Sequence, residues 1–313
     1  MAPSEEYAVV RRRVGFLDRG DFGVLELTGR DRASFLHALL SNEVKALGPG
    51  QGCAATLLDI HGKVQVVLFV WVADDRIFVV TPPAMAAKTA EALDHYLFSE
   101  KVAIEDVSRE KTLFVLAGPQ ARETSDRLMG KLGETPVRLV SGGGETGEAE
   151  VWIMCALTDA AKVRDALAGA DVRSIGPEAF ESLRIEAGTP LFGHDVDESV
   201  LLSEIPFDNL LSHTKGCYPG QEVVVRIRDR GHVNRMLRGL VLDGDQVPPQ
   251  GAEVVLDDTT IGKVTSAVRS FGLARPIALA FVRRQHAEPG TRVAVRFGGT
   301  TVAATVSALP FAR

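Results

Sequence analysis

From about Arg238 to the end of the 313-residue chain, helical periodicity disappears and six short apolar runs alternate with turns. The runs are "LRGLVL", "AEVVL", "GKVTSAV", "PIALAFV", "TRVAVRF" and "TTVAATVSAL". Strands this short bury an apolar face only by curling into a closed sheet or by stacking two sheets. The pattern therefore predicts a small barrel or sandwich. A Pro-rich stretch, "DGDQVPPQG", lies near its start. The expected division is residues 1–237 and residues 238–313, in line with about 150 residues per domain as a prior.

The first part mixes periods. "GVLEL" (residues 23–27) reads as a strand, and "DRASFLHALL" follows as a helix with Asp31 as its N-cap. Phe35, Leu36, Leu39 and Leu40 share one helical face, with His37 between them as an ordinary helix histidine. "CAATLLD", a turn at His61-Gly62, a long strand from Val64 to Val72 and "RIFVVT" come next, and Pro82-Pro83 then open a helix. "KTLFVLAGPQARETSDRLM" reads strand, turn, helix, and "EVWIMCAL" with "DAAKVRDAL" repeats strand then helix. Hairpins interleaved with single helices point to an α+β fold rather than a doubly wound parallel sheet. The rhythm recurs before residue 175, as two similar subdomains would make it.

Bulk properties exclude several classes. The net charge of −6 speaks against nucleic-acid binding by the whole surface. Apolar residues at 45% and charged residues at 24% fit an ordinary globular protein. The N-terminal "MAPSEEYAVVRRRVGFLDRG" lacks the apolar segment of a secretory signal. The longest apolar run, Val66 to Ala73, is far short of the roughly 20 residues that span a bilayer. The expectation is a cytoplasmic protein with no membrane and no nucleic-acid partner. Three cysteines, widely spaced, argue against both a disulfide framework and a resident metal centre. Cys53 and Cys155 lie among aliphatic residues and read as small apolar side chains.

Two motifs are decoys. "GGGETG" (residues 142–147) fits a dinucleotide fingerprint, but a strand follows it where a helix should open. It reads as a hairpin loop. "FGHDVDE" groups His194, Asp195, Asp197 and Glu198 without calcium-loop spacing, and no metal site is expected there.

Three stretches carry candidate chemistry. In "GPEAFESLRIEAG", Pro177 suits a first helical turn and Gly188 a C-terminal cap. Glu186 borders the apolar stripe, where a carboxylate must find donors. It serves either in a salt bridge or as acceptor for the N–H groups of a heterocycle. In "VVVRIRDRGHVNRMLRGL", Arg226, Arg228 and Arg230 alternate; on a strand all three would share a face. That face is either an anion site or a solvated surface neutralised by acids such as Asp229. In "KGCYPGQE" (residues 215–222), Cys217 sits in a polar, glycine-flexed loop. Lys215 would lie on its side of an extended chain, and Pro219-Gly220 is a strong turn signal. The thiol is either inert or nucleophilic.

"KGCYPGQE" resembles the signature of the YgfZ-type folate-binding proteins, a branch of the superfamily that includes the T-protein of the glycine cleavage system. "LELTGRDRASFLHALLSNEVKALGPGQG", "LRIEAGTPLFGHDVDES" and "GKVTSAVRS…RPIALAFVRR" resemble other stretches of that superfamily. The resemblance implies ferredoxin-like folate-binding subdomains around a central channel, then a small β-barrel. It implies tetrahydrofolate or a derivative as cofactor, and iron–sulfur client or assembly proteins as partners. Cys217 would act with Lys215, and Glu186, Arg226, Arg228, Tyr218 and Gln221 would meet the cofactor. One departure stands out: where the T-protein has an acidic pair on a strand, this chain has Val66 and Val67. Valine neither orients an amine nor stabilises developing positive charge. The implied main function is iron–sulfur protein assembly or repair; the alternative is folate-dependent aminomethyl or methyl transfer.

Overall fold

The computed structural model describes residues 1–206 and 208–312. The chain divides into two compact units. The first comprises Met1–Gly144, Glu148–Gly176 and Asp208–Gln221, and the second Glu145–Gly147, Pro177–Phe207 and Glu222–Arg313.

The first unit opens with helix α1 (Pro3–Arg12), strand β1 (Gly15–Asp18), β2 (Gly23–Thr28) and helix α2 (Arg32–Leu39). Strands β3 (Gly52–Leu58), β4 (Val64–Val72) and β5 (Ile77–Thr81) follow, then α3 (Ala86–Asp94), β6 (Ala103–Asp106) and β7 (Lys111–Ala117). It closes with α4 (Ala121–Leu132), β8 (Val137–Ser141), β9 (Glu150–Ala156), α5 (Ala160–Gly169) and β10 (Arg173–Ser174).

These strands make two five-stranded sheets, ordered β3-β4-β5-β2-β6 and β10-β1-β7-β9-β8. Every pairing is antiparallel except β1 with β10. Each sheet buries one face under two helices. Leu36, Leu39 and Leu40 of the α2 region and Leu93 of α3 meet Leu25, Leu27, Val66, Leu68 and Val70. Leu128 of α4 and Val163 and Leu167 of α5 meet Phe114, Leu116, Val151 and Ile153. A leucine taken wholly from water contributes about 1.5–3 kcal/mol, so these stripes account for the docking of the helices. Alternate residues point to the opposite faces, where the rings of Phe69 and Trp152 lie 4.9 Å apart. The recurrent strand–helix rhythm is thus two sheets of like construction.

The second unit holds α6 (Pro177–Glu186), most of α7 (Gln221–Arg230) and six strands. These are β11 (Arg235–Leu242), β12 (Glu253–Leu256), β13 (Thr259–Arg269), β14 (Pro276–Arg283), β15 (Arg292–Phe297) and β16 (Thr300–Ser307). They close into a barrel in the order β11-β14-β13-β12-β15-β16, with β16 pairing back to β11. Each strand matches one apolar run of the sequence. Leu240, Leu242, Val254, Val264, Ala278, Ala280, Val282, Val295 and Val306 fill the interior. The α+β architecture with a C-terminal barrel is as the sequence predicts.

Three local expectations change. Residues 221–230 form helix α7 and no strand, so Arg226, Arg228 and Arg230 do not share a face. Successive residues two apart on a helix are turned about 200°, and only Arg226 and Arg230 fall on one side. The helix wins because Pro219-Gly220 ends the preceding chain, Glu222 lies in the first turn, and Arg228 and Arg230 lie in the last, each matching the helix dipole. Asp31 occupies the N-cap of α2 without a side-chain cap bond; its carboxylate accepts instead from the Lys101 N–H at 2.8 Å. The helix after Pro82-Pro83 begins only at Ala86, beyond a turn that includes Ala84 at φ 61°.

Candidate functional site

The cysteine-bearing turn is held on the first unit by its two ends. On the N-terminal side, the Ser41 hydroxyl donates to the Leu210 carbonyl at 2.5 Å, and the Asn42 amide donates to the Asn209 carbonyl at 3.1 Å. The Ser212 N–H donates to the Ser41 carbonyl at 3.1 Å. Lys215 then turns inward. Its side chain is buried, and its ammonium donates to the carbonyls of His37 and Leu40. Those are groups that the end of α2 leaves without an intrahelical partner, so Lys215 acts as a C-terminal cap.

On the C-terminal side, Gly220 has φ 77°, and a Cβ there would meet the Asp59 carbonyl at 2.4 Å and Gly62 at 3.0 Å. Glycine is required twice over, by the left-handed backbone and by the close approach. The partner is the turn that leads into β4. Asp59 organises it by accepting from the N–H groups of His61 at 2.8 Å and Lys63 at 2.9 Å.

Between these anchors Cys217 is exposed, whereas Cys155 is buried and Cys53 half-buried. Burial pushes the thiols of Cys53 and Cys155 up to about 11. Cys53 directs its thiol to the Glu43 carbonyl at 3.5 Å. Lys215 and Cys217 do not face the same way, contrary to the extended-chain reading: one is buried on a helix end, the other is out in solvent. Burial also drives the Lys215 amine down to about 8, against weaker raising effects of Glu43, Cys53 and Cys217. Tyr218 is buried, with the Lys215 ammonium 5.0 Å from its ring centroid. Gln221 is the first residue of α7 and donates its N–H to the Tyr218 carbonyl at 3.2 Å. His37, whose carbonyl takes the lysine, sets its Nδ1 3.0 Å from Glu43 Oε1. Burial and then Lys215 lower its pKa. The part played by Leu40, Glu43 and Asp59 leaves no mark in the sequence; it emerges only when distant segments meet.

Val66 of β4 belongs to the sheet core, while Val67 lies on the other face and is half-buried. Neither position carries an acid. Thr56 and Leu57 stand opposite Val67 and Val66 on β3.

In the second unit Glu186 ends α6, 1% exposed. Its Oε1 accepts from the Ser182 hydroxyl at 2.9 Å, the Ser270 hydroxyl at 2.6 Å and the Gly272 N–H at 3.2 Å. Gly188 follows at φ 74°, as a C-terminal glycine should. Beside it runs a network that the sequence did not reveal. Arg184 and Asp195, both with fully buried side chains, bond at 2.8 Å. Asp195 also accepts from Thr265 at 2.5 Å and Ser266 at 2.6 Å, and Arg184 reaches Glu181 at 2.5 Å. Asp195 of the acidic loop is therefore an ion-pair partner. Among the described residues no three His, Cys, Asp or Glu side chains converge as a metal site. Arg226 is exposed, and Arg228 bonds its neighbour Asp229 at 2.7 Å. Among the described residues, no helix is long and apolar enough to cross a membrane.

One antiparallel sheet, one sheet with a single parallel pair, helices on one face of each, a closed six-stranded barrel and a cysteine turn pinned between a helix end and a strand turn define a two-module α+β protein. The model of the GCVT N-terminal domain matches residues 2–215, and that of the glycine cleavage T-protein C-terminal barrel domain matches residues 235–312. The chain belongs to the glycine cleavage T-protein (GcvT) family. Among its relatives, an aminomethyltransferase of Picosynechococcus sp. is 28% identical, over 98% of this chain and 89% of the relative. An aminomethyltransferase of Thermotoga neapolitana is 29% identical, over 99% and 89%. The crystal structure of glycine cleavage system aminomethyltransferase T from Bartonella henselae superposes with a TM-score of 0.86 at 22% identity, covering 99% of this chain and 89% of that one.

Proposed function

We propose that this protein binds tetrahydrofolate and transfers a one-carbon unit to or from it, as a folate-dependent aminomethyl- or methyltransferase. The observation that carries this reading is the continuous match to both family domains, residues 2–215 and 235–312, together with relatives named aminomethyltransferases. Glu186 fits a pterin-facing role in one respect: three donors on Oε1 fix the plane of its carboxylate, as reading a heterocycle's edge requires. When bound, the folate would supply the nucleophilic nitrogen that accepts the one-carbon unit, or would carry the electrophilic carbon that is given up. Val66 and Val67 supply no charge to that centre, so transfer by this chain would draw its stabilising group from elsewhere.

Calorimetry with tetrahydrofolate, followed by turnover with small amine and ether donors, tests the reading. Micromolar binding and formation of a one-carbon folate are expected. Absence of both would end it.

The valines and Cys217 favour a second reading, that of a YgfZ-type protein serving iron–sulfur assembly or repair. Among the described residues Cys217 is the exposed cysteine, and the anchors on either side of it present it. Here folate binds, no one-carbon product forms, and Cys217→Ser abolishes rescue of iron–sulfur enzyme activity in a strain lacking the protein. In this reading Lys215 would support the thiol, and Tyr218, Gln221, Arg226 and Arg228 would bind the cofactor. Full rescue by the serine variant would remove this second reading.

A further inference from the structure

One end of the barrel carries a groove of about 820 Å³ lined by His232, Asn234, Arg238, Arg283, Arg284 and Glu288, among others. A volume of a few hundred to a thousand Å³ suits a small ligand. The start of β11 and the end of β14 form the rim: they pair antiparallel, and the Arg284 N–H donates to the Asn234 carbonyl at 2.9 Å.

The charges there are concentrated and unmatched. Elsewhere on the barrel, Arg269, Arg292 and Arg296 meet Asp245, Asp243 and Glu253 at 2.7–2.8 Å. Arg235 meets Glu204 at 3.1 Å and lies 4.6 Å over the Phe281 ring. Among the described residues, Arg238, Arg283 and Arg284 pair with no carboxylate. Arg238 is nonetheless fixed, its Nε donating to the Ala287 carbonyl at 2.9 Å and its Nη2 lying 3.5 Å from the Met236 sulfur. Arg283 stands directly opposite Arg235 in the β11–β14 register. Like charges across a strand pair cost stability, and Arg235 is already matched. Three guanidinium groups against the single carboxylate of Glu288 leave the lining positive in a protein of net charge −6.

We propose that this groove is a binding site for a small oligoanionic ligand, one that presents two or more phosphate or carboxylate groups to Arg238, Arg283 and Arg284. Planar guanidinium forks bind such oxygens in pairs, and a concave wall strengthens their field. The site is independent of the folate reading, and none of its residues belongs to the candidate set around Cys217 and Glu186.

Calorimetric titration of the full chain at low salt tests it, with pyrophosphate and citrate as probes. Binding of at least one probe, weakened about tenfold or more in R283Q/R284Q and unchanged in R292Q, is expected. Pyrophosphate as the tighter probe points to a phosphate source, citrate to an oligocarboxylate. Far-ultraviolet circular dichroism checks that both variants keep the fold. Failure of both probes to bind, or equal binding by R283Q/R284Q, would overturn the proposal. Glu186→Gln should leave probe binding intact, so loss of folate binding and loss of groove binding are read separately.

Discussion

Lys215 caps helix α2 from 175 residues away along the chain, its ammonium donating to the carbonyl of Leu40 as well as to that of His37. The first residue of the sequence signature is therefore spent on holding the loop, and the thiol two residues later is what the loop presents. Replacement of Lys215 by Met keeps the bulk and removes the donor. It should cost about 1–3 kcal/mol, since two helix-end carbonyls lose their partner in a buried place. Urea unfolding measures the loss. An unchanged midpoint would show that the cap contributes nothing.

The same lysine predicts a pH dependence. Burial holds its amine at about 8 against an ordinary 10.5. Between those values the unfolded chain carries a proton that the native chain lacks, so this residue's contribution to stability rises with pH across that window. Below it both states are protonated and the contribution is flat. The raised thiols of Cys53 and Cys155 act in the opposite sense between 9 and about 11, so the quantity to plot is wild type minus Lys215→Met. That difference should climb from pH 8 to pH 10.5; a level line would mean that the amine titrates normally.

Gly220→Ala should destabilise by about 1–3 kcal/mol and disturb the cysteine turn. The new methyl would have to occupy the space of the Asp59 carbonyl, 2.4 Å away, on a backbone at φ 77°. Thermal melting reads the first effect, and the labelling rate of Cys217 reads the second. Wild-type behaviour in both would show that the turn is not wedged against β4.

Thiol labelling under native conditions should modify Cys217 first, Cys53 slowly and Cys155 only on unfolding. Exposure orders them this way, and the raised pKa of Cys53 and of Cys155, each about 11, slows both further. Cys217→Ser should shift the melting temperature by no more than about a degree, since a surface side chain of the same shape is exchanged. Rapid labelling of the serine variant would contradict the assignment.

Asp195→Asn should cost about 1–3 kcal/mol, because the buried Arg184 guanidinium loses one of its two carboxylates and keeps Glu181. Replacing Arg184 and Asp195 together by Met and Leu should cost less than the two single changes summed. A double-mutant cycle in urea gives both numbers, and strict additivity would show that the pair is not coupled.

Much of this architecture was open to reading in the sequence, and the particular residues show why. The barrel strands were legible because each is a short apolar run bounded by turn residues, and closure demands little else. Gly188 was legible because a helix end asks for a left-handed residue at one place. Helix α7 was not legible because Val223, Val224 and Val225 also suit a strand; only Val224 is buried, so packing against the unit, and not β-propensity, decided the outcome. Helix α1 passed unnoticed although Glu5, Glu6, Arg11 and Arg12 are placed as its dipole requires. The exposure of Cys217 was legible from its polar surroundings. The inward path of Lys215, the Asp59 contact and the Arg184–Asp195 pair were not, since each joins segments that only the folded chain brings together.

Closure of the barrel has a consequence for how this module meets other molecules. β16 returns to β11, so each of the six strands already has a neighbour on either side. A visiting peptide finds no bare main-chain rim to extend. Whatever is recognised there must be read by side chains at an open end, through charge and shape.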